Sequence, residues 1–143
     1  MTSDHRVFVD SDVVISSLLS NIGAAYFLLH KANLELFISD VSFRELKIVT
    51  IRLGLETVKL TALVGKKFTI VRLNKNTSEI KRGYGKYTHD ENDAHIAAGA
   101  STAKAKFLIT YNMRDFKADY IKRDFGIICM KPADFLQYLR SLS

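Results

Sequence analysis

Short apolar runs alternate along this chain with longer stretches whose apolar residues recur at helical spacing. Residues 6–10, 36–39, 67–73, 107–110 and 126–130 read as five strands. Unbroken apolar runs this brief suit strands buried on both faces of a parallel sheet. The stretch 67–73 alternates at first, through Phe68 and Ile70, and is expected at an edge. Helices are predicted over 13–20, capped by Ser11 or Asp12, and over 22–33, where Ile22, Ala25, Tyr26 and Leu29 share one face. Two more follow over 41–53 and 55–64, broken at Gly54, and another over 75–82. Residues 90–104 predict a helix whose Ala94, Ala97, Ala98, Ala100 and Ala103 allow close packing on a sheet. Pro132 opens a last helix with Phe135, Leu136 and Leu139 facing inward. Strands separated by helices define an α/β fold, three layers α/β/α, with a mostly parallel sheet of about five strands.

Length and composition narrow this further. At 143 residues, 48% hydrophobic and 25% charged, the chain is expected to form one globular domain over 1–143. One Pro and seven Gly leave no linker or low-complexity segment. No apolar run approaches the ~20 residues of a membrane span, and the charged opening at residues 1–6 does not read as a leader. The lone Cys129 lies in an apolar run, which reads as a buried thiol and fits a reducing cytoplasm.

Candidate chemistry lies in acids that the strand pattern carries to one edge. Asp10 closes the first strand, Glu45 follows the second, Asp93 opens the Ala-rich helix and Asp115 follows the fourth strand. Ligands of parallel α/β sheets bind outside the carboxyl ends of the strands, so these four are expected to converge. Such a cluster repels itself unless a cation neutralises it. Oxygen-only ligands suit Mg²⁺ or Mn²⁺, and the four histidines show no zinc spacing. Each acid also has a structural explanation. Asp10 can serve as a helix cap, Ser42 with Glu45 and Thr88 with Glu91 match capping boxes, and Asp115 suits a turn. Ser11, Asp12, Asp90 and Asn112 are secondary candidates beside them.

Net charge is +6, and its distribution is uneven: residues 1–60 sum to −1 and residues 61–143 to +7. Between Lys66 and Tyr87 seven basic residues meet one acid, Glu79. Lys81, Arg82 and Lys86 alternate with Tyr84, Tyr87 and two glycines in what reads as a basic loop. Cations neutralise phosphates and aromatic rings stack on unpaired bases, so this segment is the expected RNA contact.

Taken together, four segments resemble the PIN domain, the small nuclease fold of the VapC-type toxin ribonucleases. Residues 7–16 are similar to the family's opening strand, acid and helix; residues 39–45 resemble its Ser-led helix with a second acid. Residues 93–100 resemble its third-acid helix, and Thr110, Asn112, Asp115 and Phe116 match its Thr-x-Asn-x-x-Asp-Phe segment. Asp12 departs from the usual Asn and adds negative charge. The resemblance implies an Mg²⁺- or Mn²⁺-dependent endoribonuclease. Asp10, Asp93 and Asp115 would hold one or two ions, and Glu45 would orient water or complete a second metal site; an antitoxin and a homodimer are the implied partners. Two alternatives stand beside this reading. Asp10-x-Asp12 after a strand resembles the nucleophile motif of haloacid-dehalogenase phosphatases, and an inactive RNA- or protein-binding PIN module would have the same outline.

Overall fold

Along the central strands successive side chains enter two different cores, which is why those strands are apolar without interruption. The computed structural model describes residues 5–142. Its strands are β1 (Arg6–Val9), β2 (Glu35–Ser39), β3 (Phe68–Val71), β4 (Phe107–Ile109) and β5 (Ile128–Met130). They pair in parallel in the order β3-β2-β1-β4-β5. Val7, Val9, Leu36, Ile38, Phe107 and Ile109 face one core. Phe8, Phe37 and Leu108, the intervening residues, face the other.

Helices cover both faces. Four of them, α1 (Ser11–Leu19), α2 (Ala24–His30), α4 (Thr57–Lys67) and α8 (Pro132–Ser141), close the first core through Val13, Val14, Leu28, Leu29, Leu60 and Phe135. On the opposite face α6 (Ala94–Thr102) and α7 (Ala118–Phe125) supply Ile96, Ala97, Ala100 and Ile121. Leu46 of α3 (Asp40–Arg52) joins the first core, and Ile80 of α5 (Thr77–Tyr84) packs on Ala94 and Ala98 of α6. Among the described residues no single helix is long and apolar enough to cross a membrane.

Several expected boundaries move for local reasons. The first helix begins at Ser11, because Asp10 caps it: the Ser11 amide donates to Asp10 Oδ1 at 2.7 Å. The second begins only at Ala24, after Gly23 at φ 96°, and leaves Ile22 outside it and 79% exposed. The predicted Ser42–Glu45 capping box does not form, since Ser39 is the cap and accepts from the Ser42 amide at 3.0 Å. Residues 90–104 split into a 3₁₀ turn at Glu91–Asp93 and α6, and Thr88 donates to the Asp90 carbonyl in place of a capping box. The helix α7 has no counterpart in the predicted elements. The basic segment is no loop: it completes α5 and a 3₁₀ turn at Gly85–Tyr87. Cys129 is buried as expected, which pushes its thiol up to about 11. Residues 1–4 of the charged opening lie outside the described residues.

The small residues of α6 set its distance from the sheet. At Gly99 a Cβ would overlap the ring of the fully buried Phe8, whereas at Gly83 in α5 it would meet nothing within 4 Å. Gly99→Ala should therefore destabilise the protein by ~1–3 kcal/mol through overpacking. Gly83→Ala should stabilise it by up to ~1 kcal/mol through helix propensity. Urea unfolding of the two variants measures both signs.

Candidate active site

The strand order reverses between β1 and β4, since β2 and β3 lie to one side and β5 to the other. A crevice at the carboxyl ends of the strands is expected at such a switch point. Asp10 stands there at the end of β1, and Thr110 at the end of β4. Thr110, fully buried, donates from Oγ1 to Asp10 Oδ2 at 2.8 Å and accepts from the Asn112 amide at 3.0 Å. Both Asp10 oxygens are thus engaged, one on α1 and one on β4.

Asp12, in the first turn of α1, binds the segment that leaves β4. Its Oδ2 accepts from the Tyr111 amide at 3.1 Å and from Asn112 Nδ2 at 3.0 Å. Its Oδ1 is buried with no hydrogen-bond partner, as is the Ser11 hydroxyl oxygen. An unpaired buried carboxylate oxygen is costly to maintain.

A second set of backbone contacts brings Asp93 and Asp115 to the same edge. Thr88 bridges Phe116, the His89 amide donates to the Asp115 carbonyl at 3.0 Å, and the Lys117 amide donates to the Tyr87 carbonyl at 2.9 Å. The chain before α6 is therefore pinned to the chain after β4. Asp90 caps the intervening 3₁₀ turn, accepting from the Asn92 amide at 2.9 Å. Its carboxylate is engaged structurally, as that of Asp93 is not.

Electrostatics follow from this crowding. Burial, then the neighbouring Asp12, push the Asp10 carboxyl up to about 6, against the opposing hydrogen bonds from Thr110 and Ser11. Asp12 is raised by burial foremost, with Asp115 contributing. Asp93 is raised by burial and then by Asp115, Asp10 and Asp90. Asp10, Asp12, Asp93 and Asp115 thus form one mutually repelling group. Glu45 is held by His95: its Oε2 lies 3.3 Å from His95 Nε2, a bond that lowers the Glu45 pKa. Asp12, predicted as secondary, belongs to the repelling group.

Among the described residues no three His, Cys, Asp or Glu side chains stand as a ready-made metal cage. Mg²⁺ does not require one, because it commonly binds through one or two carboxylates and keeps several waters. All-oxygen donors, raised carboxyl pKa values and the unpaired Asp12 Oδ1 fit a hard divalent cation.

Two residues of the site were missed in the sequence reading. Thr110 was legible only as part of a motif, and its hydroxyl bond to Asp10 links residues 100 positions apart. His95, 9% exposed, follows Asp93 in a helix that otherwise reads as small-residue packing. Of the expected RNA contacts, Lys86 and Arg82 are exposed, and Lys81 is partly buried 3.9 Å from Glu91. Tyr87 is corrected: it is buried at 4% exposure, its hydroxyl donates to Asp124 Oδ2 at 2.7 Å, and it has no free face for a base. Tyr84 is half-buried against Tyr87 and Phe125.

Comparison with known proteins identifies the family and the fold. The profile of the PIN domain family matches residues 6–114, and the chain belongs to that family. The haloacid-dehalogenase alternative is thereby set aside. No curated protein matches the chain in sequence. A toxin–antitoxin complex from Klebsiella pneumoniae shares the fold at TM-score 0.61 and 23% identity, covering 85% of this chain and 95% of that one. VapBC2 from Rickettsia felis, bound to a DNA fragment from its promoter, is similar at TM-score 0.61 and 16% identity, over 87% and 97%. The sarcin–ricin loop cleaving toxin VapC20 of Mycobacterium tuberculosis aligns at TM-score 0.53 and 14% identity, over 83% and 95%.

The raised Asp10 carboxyl has a pH signature. Between its usual value near 3.8 and about 6 the folded chain keeps a proton that the unfolded chain has lost, so Asp10 destabilises the fold increasingly as pH rises through that window. The penalty is roughly 3 kcal/mol above the window, at ~1.36 kcal/mol per unit. In excess chelator, Asp10→Asn should be more stable than the parent at pH 7, with the difference vanishing near pH 4. Thermal melts from pH 4 to 8 measure it.

Proposed function

We propose that this protein is an Mg²⁺- or Mn²⁺-dependent endoribonuclease that hydrolyses RNA phosphodiester bonds, the toxin of a toxin–antitoxin pair. The observation that carries the reading is the group Asp10, Asp12, Asp93 and Asp115 at the switch point, self-repelling and with one buried oxygen unpaired. A site that costs the fold stability is best explained by a cation that relieves the cost. Membership of a nuclease family supports the chemistry. The toxin reading is supported by the neighbours described as toxin–antitoxin complexes, and the RNA substrate by the one that cleaves the sarcin–ricin loop.

In this reading Asp10, Asp93 and Asp115 would supply the oxygens that hold the ion, with water completing its shell. When bound, a divalent ion lowers the pKa of water and stabilises charge on a phosphate. Thr110 and the Ser11 amide fix the rotamer of Asp10. Asp12 holds residues 111–112 against α1 and keeps Asn112 at the rim. Glu45, fastened by His95, orients a water on the α3 side. Lys81, Arg82 and Lys86 neutralise phosphates, with the exposed part of Tyr84 beside them. Exposed Ile51 and Leu53 on and after α3 and Val58 on α4 give an antitoxin or a second copy an apolar surface to cover.

Asp10→Asn and Asp93→Asn should each lower kcat for single-stranded RNA by roughly 10²-fold or more, the scale of losing a charge-stabilising group. Both should retain the far-UV circular dichroism of the parent. Chelator should stop cleavage and Mg²⁺ or Mn²⁺ restore it. Full activity in both variants, or undiminished cleavage in excess chelator, would remove the proposal. An inactive binding module would bind RNA and never cut it. Light scattering at micromolar concentration is expected to give the mass of a dimer.

A further inference from the structure

We propose that the cleft between α3 and α5 is the channel for the unpaired RNA strand adjoining the scissile phosphate, an inference that rests on the ribonuclease reading. The cleft has a volume of about 680 Å³, within the ~300–1,000 Å³ usual for ligand sites. Arg44 on α3 and Lys75 just before α5 line its walls, and both are exposed with no carboxylate within ion-pair distance among the described residues. Lys81, one turn into α5, is the third cation, held 3.9 Å from Glu91. Ile48, 57% exposed, and the half-buried Val41 line the same cleft with apolar surface, while Ile80 is buried against α6.

Cations beside an apolar strip match an unpaired strand, whose phosphates seek charge and whose base faces seek apolar or aromatic surface. In a duplex those base faces are stacked away. Two residues that line the cleft connect it to the aspartates. They are Glu45 and His95, which are bonded to each other at 3.3 Å, and His95 stands in the first turn of α6 just after Asp93. His95 also acts electrostatically on Asp93 and Asp10, so a chain lying in the cleft would pass beside the aspartate group. A protein partner would find the same cations, but nothing in the cleft favours an acidic peptide over a strand whose next phosphate reaches the acids.

Anisotropy with a fluorescent single-stranded oligoribonucleotide tests this, in an Asp10→Asn background to prevent turnover. Arg44→Ala/Lys75→Ala should raise Kd by about tenfold or more at low salt and reduce the slope of log Kd against log salt by about 1.4. That slope is the expectation for two phosphate contacts at ~0.7 each on a single strand. Lys122→Ala, an exposed cation on α7, should change neither. Shortening the oligonucleotide from one end should weaken binding to the background protein and leave the double variant indifferent. Unchanged affinity and slope in the double variant would overturn the proposal. So would an equal loss for Lys122→Ala, or a loss seen with polyglutamate and not with RNA. Cleavage by the unaltered chain is read separately: a cleft-dependent RNA affinity without any cleavage would keep the cleft as an RNA site and remove the ribonuclease reading.

Discussion

The hydrogen bond from Thr110 Oγ1 to Asp10 Oδ2 joins the ends of β1 and β4, where the strand order reverses. Much of the site's geometry depends on it. With Oδ2 engaged by β4 and Oδ1 by the first amide of α1, Asp10 has a single orientation. The same Thr110 hydroxyl accepts from the Asn112 amide, and Asn112 in turn donates to Asp12. One short chain of bonds thus spans β4, β1 and α1 and places two aspartates side by side. Thr110 is fully buried, and its hydroxyl both donates and accepts.

That placement works against stability. Asp10 is pushed up to about 6 chiefly by burial, then by Asp12, and Asp93 is raised by burial with Asp115 and Asp10 behind it. Hydrogen bonds from Thr110 and Ser11 offset part of the cost at Asp10 without cancelling it. The surrounding fold tolerates the group because apolar cores lie on both faces of the sheet, anchored by fully buried Phe8, Leu108, Ile109 and Phe135. Residues that a hydrophobic core would never select persist at its edge, which is the pattern expected of a functional site.

The strands were legible because their apolar runs are short, unbroken and buried on both faces. Local capping was harder to read. Ser42 and Glu45 satisfy a capping-box pattern, yet Ser39 caps α3 and Glu45 turns to His95, a partner fifty positions away. The helix α7 went unread because a single residue, Ile121, is fully buried in it and the rest is polar or half-exposed. Tyr87 looked like a stacking residue among cations; its partner Asp124 lies on that unread helix. Asp10 and Asp115 are legible from strand ends, Asp93 from the opening of a helix and Asp12 only as a neighbour, while Thr110 and His95 need the tertiary contacts to reveal them. Periodicity reports burial well and long-range polar pairing poorly.

Calorimetric titration with Mn²⁺ near pH 6, in buffers of different ionisation enthalpy, addresses the central claim most directly. If the aspartates are a cation site, the protein binds Mn²⁺ saturably and releases protons as it does so, because Asp10 is partly protonated there and a ligand must ionise. Asp10→Asn should bind more weakly and release fewer protons. Absence of saturable binding, or binding and proton release unaffected by that substitution, would contradict the account.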